Sequence, residues 1–280
     1  MNSHPSALIT GASTGIGETC AHYLATRGWR VFAGVRQPAD AERLAAANIT
    51  PLILDVTQAK QIDSAMAAIR KELGSAGLQG LVNNAGIAVT GPLEYLPLDD
   101  LRLQMEVNFI SQVAVTQACL PLLRLGRGRI ANISSIGGRV ASPFVGPYSA
   151  SKFALEAFTD ALRRELRPWK LHVASIQPGS IKTPIWEKSL AWGDSLRARL
   201  PAQAIALYGP VLQRVYRRAQ SAGARGIPAE AVARAVHHAL SARWPRTRYI
   251  MGRGTRTAVW FARRLPDELV DWVIGRAISR

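Results

Sequence analysis

A chain of 280 residues that is 48% hydrophobic, with ordinary glycine and proline contents (23 and 16), can bury a large core, which excludes a disordered or low-complexity protein. Its two cysteines, Cys20 and Cys119, sit in apolar stretches, so a disulfide framework is excluded and a reducing compartment fits. The net charge of +16 is uneven: residues 1–140 carry 12 Lys/Arg against 10 Asp/Glu and residues 141–280 carry 23 against 9, which reads either as a surface that meets anions or as a plain solvated basic surface.

The opening MNSHPSALITG has no basic n-region and no apolar h-region, so no signal peptide is expected. No apolar run approaches the ~20 residues that span a bilayer, and a cytoplasmic chain is the expectation. The first predicted strand is SALIT (6–10), followed by the turn GASTGIG and a helix over 15–27. Strand, glycine-rich turn and helix aim backbone N–H groups and a helix N-terminus at an anion. Gly11 permits the tight turn, Gly15 leaves room for a phosphate, and Gly17 lets the helix pack closely on the sheet. Ser13 and Ile16 of the same turn belong to the expected cofactor contacts. The second strand, WRVFAGV (29–35), ends at the position that reads the adenosine ribose of a dinucleotide. Val35 stands where an acid for the NAD 2′-hydroxyl would be, and Arg36 follows, suited to the NADP 2′-phosphate. NADP is therefore expected, with NAD as the alternative, since Thr14 supplies no second basic residue to the turn.

After a helical pattern at 39–47 comes PLILDV (51–56), where Asp55, beside Val56, is expected to accept from the adenine amino group. Helix (58–73), strand GLVNN (80–84), helix (99–125), strand RIANIS (129–134), helix (147–167) and strand LHVASIQ (171–177) follow. A helix at 229–243 and the strand TRYIM (247–251) close the series. Most of these strands are too apolar to have one face in water. Alternation of this kind predicts an α/β fold: a single Rossmann-like domain over 1–280, with a doubly wound parallel sheet of about seven strands and helices on both faces. Residues 185–227 hold no strand signal, only apolar and basic helical patches, and are expected to form a helical substrate lid.

The chemistry is concentrated after the fifth strand. NISSIGG contains Ser135, and YSASK places Tyr148 and Lys152 at i and i+4 on one helix face. A phenol titrates near ~10, and a neighbouring ammonium favours its ionised form, so Tyr148 is expected to exchange a proton near neutral pH. His22, His172, His237 and His238 lack ligand spacing, and no metal is expected.

Taken in order, the glycine-rich turn, NNAG (83–86), Asn108 in EVNFIS, Ser135, Tyr148 with Lys152, and PGSIKT (178–183) resemble the short-chain dehydrogenase/reductase family. The likeness covers roughly residues 6–185 in motif order. It implies Tyr148 as general acid/base, Lys152 on the nicotinamide ribose, and Ser135 on the substrate oxygen. It implies that Asn108, at a helix kink, holds a relay water. Asn84 and Gly86 would line the cofactor cleft, while Pro178, Gly179, Ile181 and Thr183 would embrace the nicotinamide end. Within the family, the stretch around Tyr148 looks like the retinoid, hydroxysteroid and 3-hydroxybutyrate branch. An apolar lid points to a bulky hydrophobic substrate such as a steroid or retinoid. An NAD-linked dehydrogenase of a small hydroxy acid and a non-catalytic cofactor sensor stand as alternatives. A homodimer or homotetramer is expected and a nucleic-acid partner is not. The tail at 255–280 carries Trp260, Phe261, Leu265, Leu269, Trp272 and Val273 beside arginines, split by Pro266. It is read as packing on the domain or a neighbouring subunit, or as a peripheral membrane contact.

Overall fold

Strands that are apolar at both alternating sets of positions are stable only when covered on both faces. The computed structural model, which describes residues 4–252 and 254–279, arranges them in that way. In chain order the strands are β1 (Ser6–Ile9), β2 (Arg30–Val35), β3 (Ile49–Ile53), β4 (Gly80–Asn83), β5 (Arg129–Ile133), β6 (His172–Pro178), β7 (Ile181–Lys182), β8 (Ile227–Pro228) and β9 (Arg248–Met251). Seven of them form one sheet in the order β3-β2-β1-β4-β5-β6-β9, parallel throughout. Strand order reverses between β1 and β4, and a crevice opens there at the carboxyl ends.

Alternate residues of each strand go to opposite faces. Ala7, Ile9, Val31, Ala33, Ala131 and Ala174 pack beneath α1 (Gly15–Ala25) and α9 (Ala229–Ser241). Leu8, Phe32, Leu81, Ile130 and Val173 face α3 (Ala59–Leu73), α5 (Ser111–Leu125) and α6 (Gly146–Glu165). The short side chains of the first set let α1 and α9 lie close to the sheet, while the second set holds the bulk of the large aliphatic groups. Both faces are dry, and the doubly wound reading holds.

Most elements lie within two or three residues of expectation, and two differ in a way that has a physical reason. The strand expected over 51–56 runs from Ile49 to Ile53, because β3 is the sheet edge and Pro51 costs no ladder hydrogen bond there. The single helix expected over 99–125 is α4 (Leu98–Met105) and α5, joined by a π-helical turn, Glu106–Ile110, around the buried Asn108. The lid segment forms α7 (Ile185–Arg199) and α8 (Ala202–Arg225). Its two ends are tied together by the β7–β8 pair, Ile181 opposite Ile227. Past β9 the tail turns into α10 (Thr255–Ala262) and α11 (Asp267–Ser279), and Pro266 separates them. α2 (Pro38–Leu44) completes the set at the β3 edge.

Candidate active site

The glycine-rich turn lies in the crevice between β1 and β4, and sterics dictate its glycines. Gly11 has φ +63°, and a side chain there would meet the Ala85 backbone at 2.8 Å. At Gly17 an added Cβ would fall 2.3 Å from the Gly11 carbonyl oxygen. Thr183 of the PGSIKT segment packs over Gly15, so the two ends of the motif series meet. Asn84 donates from Nδ2 to the carbonyls of Thr10 (2.9 Å) and Gly11 (2.9 Å), and its own N–H reaches Thr10 Oγ1 at 3.0 Å. Its side chain therefore staples the turn to β4, while the residue still lines the cleft with Gly86.

At the adenosine end, Val35 is buried and Arg36 is exposed at the rim, with no hydrogen bond or ion pair among the described residues. Asp55 and Val56 line the same wall, but Asp55 Oδ1 already accepts from Thr57 N (2.9 Å) and Oγ1 (2.8 Å). Two cations that sequence reasoning missed reach the turn. Arg43 of α2 bonds the Ser13 carbonyl and Glu18, and Lys188 of the lid helix donates to Thr14 Oγ1 at 3.3 Å. Lys188 is thus a basic group beside Thr14, supplied from 174 residues away. No local pattern signals that.

At the other end α6 carries Tyr148 and Lys152. A buried network fixes this helix on the sheet. Asn83 donates to Asn132 Oδ1 at 2.9 Å and to Thr116 Oγ1 at 2.8 Å, and Asn132 donates to Thr159 Oγ1 at 2.8 Å. Lys152 is 4% exposed, gives one proton to the Ile133 carbonyl at 2.8 Å, and lies 5.8 Å from the Tyr148 ring centroid. An ammonium has three donors, so two remain for a ligand in the cleft. Burial lowers the Lys152 ammonium to about 8, with Glu156 pulling it back up. Burial also pushes the Tyr148 phenol above its ordinary value, opposed by a hydrogen bond with Ser135. Burial dominates, and the group that opposes it is Ser135 rather than the Lys152 ammonium expected from sequence. Ser135 Oγ accepts from Gly137 N at 3.0 Å and faces the Pro178 carbonyl at 3.5 Å.

Asn108 is fully buried, and its amide is consumed. Oδ1 accepts from Ile87 N at 2.8 Å, and Nδ2 donates to Ile87 O (3.0 Å) and Ser151 Oγ (3.2 Å). Asn108 sits within the π turn, a feature frequent at functional sites. Gly179 donates to the Met251 carbonyl at 2.7 Å and abuts Thr255, which leaves no room for a side chain. Ile181 is buried, and its carbonyl accepts from the Trp186 indole at 2.8 Å.

These groups share one cavity of about 900 Å³. Beyond Tyr148 its wall is apolar: Leu103, Val140, Val145, Ile185 and Trp186 on one side, and tail residues including Val259, Phe261, Leu265 and Val273 on the other. Trp186 lines it and Trp192 does not. The tail is thus a wall of the site as well as a surface element. Even so, Trp260, Phe261, Trp272 and Val273 remain at least half exposed. Among the described residues no three His, Cys, Asp or Glu side chains converge as a metal site. His238 instead bonds Tyr249 Oη at 2.8 Å, and His172 faces the Arg246 carbonyl at 3.2 Å. The cleft suits an elongated anionic dinucleotide, with a side-chain-free turn at its centre, a guanidinium at one end and a buried ammonium at the other.

The chain matches the short chain dehydrogenase family over residues 5–194. It is 34% identical over 282 residues to an NADPH-dependent 3-dehydrocapnine reductase of Ornithobacterium rhinotracheale, covering 98% of this chain and 97% of that one. It is 38% identical over 278 residues to human (Homo sapiens) retinol dehydrogenase 5, covering 95% and 86% of the two chains. A short chain dehydrogenase from Burkholderia cenocepacia, solved in complex with NADP, superposes with a TM-score of 0.75 at 25% identity, over 97% of this chain and 98% of that one.

Proposed function

The chain belongs to the short-chain dehydrogenase family, and on that premise we propose that it interconverts a bulky apolar secondary alcohol and its ketone, or a lipid-like alcohol and its aldehyde, with NADP(H) as preferred dinucleotide. One observation carries this reading. Beyond Ser135, Tyr148 and Lys152 the cavity wall is mostly apolar, with Leu103, Val140, Val145, Ile185, Trp186 and Phe261 among its lining. Its lining cations are Arg36, Lys152 and Lys188, of which Arg36 and Lys188 belong to the adenosine rim and the glycine-rich turn. A small hydroxy acid would lack a cation of its own, which favours the apolar substrate over that alternative.

In this reading Tyr148 gives a proton to the carbonyl oxygen during reduction and takes it back during oxidation. Ser135 donates a hydrogen bond to the same oxygen. Lys152 holds the ribose hydroxyls and favours the phenolate. When bound, the nicotinamide ring supplies or receives the hydride, and the protein contributes positioning and proton handling. Arg36 meets the 2′-phosphate, with Lys188 as a second cation nearby. The names of the relatives, a retinol dehydrogenase and an NADPH-dependent reductase, are in line with both parts of the reading.

The exposed tail aromatics support a resting contact of α10 and α11 with a lipid surface. Arg264 stacks 4.5 Å over Trp260 and Arg276 lies 5.5 Å over Trp272, so cations and aromatics share one face. No helix of the described residues is long and apolar enough to cross a membrane. The deciding experiment is a panel of steroid, retinoid and hydroxy-acid substrates with each dinucleotide, run on the wild type and Tyr148→Phe. Turnover confined to small hydroxy acids, or a Tyr148→Phe enzyme retaining a tenth of the rate, would overturn the assignment.

A further inference from the structure

Helix α6 presents Tyr148, Lys152, Glu156 and Asp160 at intervals of four residues, so the four form one stripe running from the cavity into the protein. The first two members are accounted for by the proposed reaction. Glu156 is not, and it is an unusual residue to find there. A carboxylate only 4% exposed is costly unless its oxygens are bonded and its charge is met.

Both conditions hold. Glu156 Oε1 accepts from Ser175 Oγ. Oε2 accepts from Gln177 Nε2 at 2.7 Å and from Arg248 Nε at 3.3 Å, and Arg139 Nη1 stands 3.9 Å away. Arg248 also reaches Asp160 Oδ2 at 2.5 Å, and Arg163 holds Asp160 Oδ1 at 2.5 Å. The charged groups facing Glu156 are therefore Lys152 and Asp160 on its own helix, Arg139 from the turn after β5, and Arg248 from β9. β6 contributes only the neutral Ser175 and Gln177. The carboxylate ties α6 to β6, to β9 and to the turn that follows Ser135. Gly138 in that turn sits so close that a side chain would meet the Lys152 carbonyl at 2.8 Å and Glu156 Cγ at 3.1 Å.

We propose that Glu156 is a positioning residue for the Tyr148–Lys152 pair, a clamped anion that keeps the Lys152 ammonium charged and holds α6 in place against the ends of β6 and β9. The proposal rests on the reading of Tyr148 and Lys152 given above. Its physical content is a charge order along the stripe: phenol, ammonium, carboxylate, guanidinium. Neutralising the carboxylate leaves Lys152 buried with Arg139 and Arg248 and no anion between them. The ammonium then gives up its proton at lower pH. Removing Arg248 instead leaves the carboxylate less satisfied, and Lys152 keeps its proton to higher pH.

The test is the pH dependence of kcat/KM and of dinucleotide Kd, measured by quenching of tryptophan fluorescence, for wild type, Glu156→Gln, Glu156→Asp and Arg248→Gln. In Glu156→Gln the alkaline limb of both profiles is expected to move down by about one pH unit, the size of effect an adjacent charge exerts. That is an additional loss of roughly sixfold at pH 8.5 relative to pH 6.5. Glu156→Asp restores the limb, and Arg248→Gln moves it the opposite way. A uniform loss at every pH with unmoved limbs would overturn the proposal and leave Glu156 a structural residue only. Should Glu156→Gln fail to fold, the direction of the Arg248→Gln shift decides alone. Lys152→Ala and Tyr148→Phe run alongside separate the two levels: activity surviving in them sinks the acid/base reading itself, whereas activity lost in them with immobile limbs in the Glu156 and Arg248 variants sinks only the role of Glu156.

Discussion

Replacing Lys152 by methionine keeps the length of the side chain and deletes the charge that burial opposes. The wild-type ammonium is held at about 8 in the fold, against 10.5 for the ordinary side chain. Between those values the folded chain binds fewer protons than the unfolded chain, so this residue makes the wild type more stable as pH rises. Below pH 8 the contribution is flat and unfavourable, and above 10.5 it is flat again. From pH 7 to pH 9.5 the linkage is worth about 2 kcal/mol, which Lys152→Met cannot show. The buried thiols Cys20 and Cys119, each pushed up to about 12, also titrate differently in the two states. They are common to both chains and cancel in the comparison. Urea unfolding at the two pH values, followed by far-UV circular dichroism, gives the difference directly, and heating should show the wild type gaining about 3 °C on the variant. Absolute stability at pH 7 is a poorer measure, because the variant also orphans the Ile133 carbonyl. Parallel profiles across this range would refute the argument, since a lysine that titrates normally in the fold gives no slope.

Arg36→Ala should lower the NADP-to-NAD ratio of kcat/KM by about ten- to a hundredfold, as expected for one charge-assisted phosphate contact. An unchanged ratio would remove Arg36 from cofactor choice. Trp186→Ala should raise KM for bulky apolar substrates more than for small ones, while Trp192→Ala, whose side chain lies outside the cavity, should not discriminate by size. Equal responses in the two variants would mean that Trp186 only supports the lid. Trp260→Ser with Trp272→Ser should release the protein from anionic liposomes at low salt with KM unaltered, because neither side chain lines the cavity. A chain cut after Gly254 should in contrast lose substrate affinity as well, since α10 and α11 supply part of the wall. A truncated enzyme with normal KM would contradict that placement.

Most of the sheet was legible because strands buried on both faces announce themselves as unbroken apolar runs, whatever their partners. The start of β3 was not, because Pro51 reads as a breaker and only its place at the sheet edge makes it harmless. The β7–β8 pair has two residues a side, too short for any periodicity. At the site, Gly11, Gly15 and Gly17 could be read from their spacing, and Tyr148 with Lys152 from the helical repeat. Asn84 was found but for a different contact, since its amide grips the turn. Lys188 and the inward faces of α10 and α11 were illegible for one reason. An amphipathic helix shows that it has an apolar face without showing what that face covers. The consequence of burial for Tyr148 escaped likewise, because spacing reports a neighbouring charge and says nothing of desolvation.

The wall built by α10 and α11 comes after the last strand of the sheet. Among the described residues no ladder register or crossover of the sheet depends on anything that follows Met251, so this part of the substrate-side wall is less constrained by the scaffold than the part supplied by Leu103, Val140, Val145 and Trp186. Part of the substrate-side wall therefore lies apart, along the chain, from the helix that carries Tyr148 and Lys152. Changes confined to α10 and α11 would reshape that wall and leave the helix of Tyr148 and Lys152 and the glycine-rich turn as they are. The same separation offers an engineer a short terminal cassette to vary, with the fold itself left out of the library.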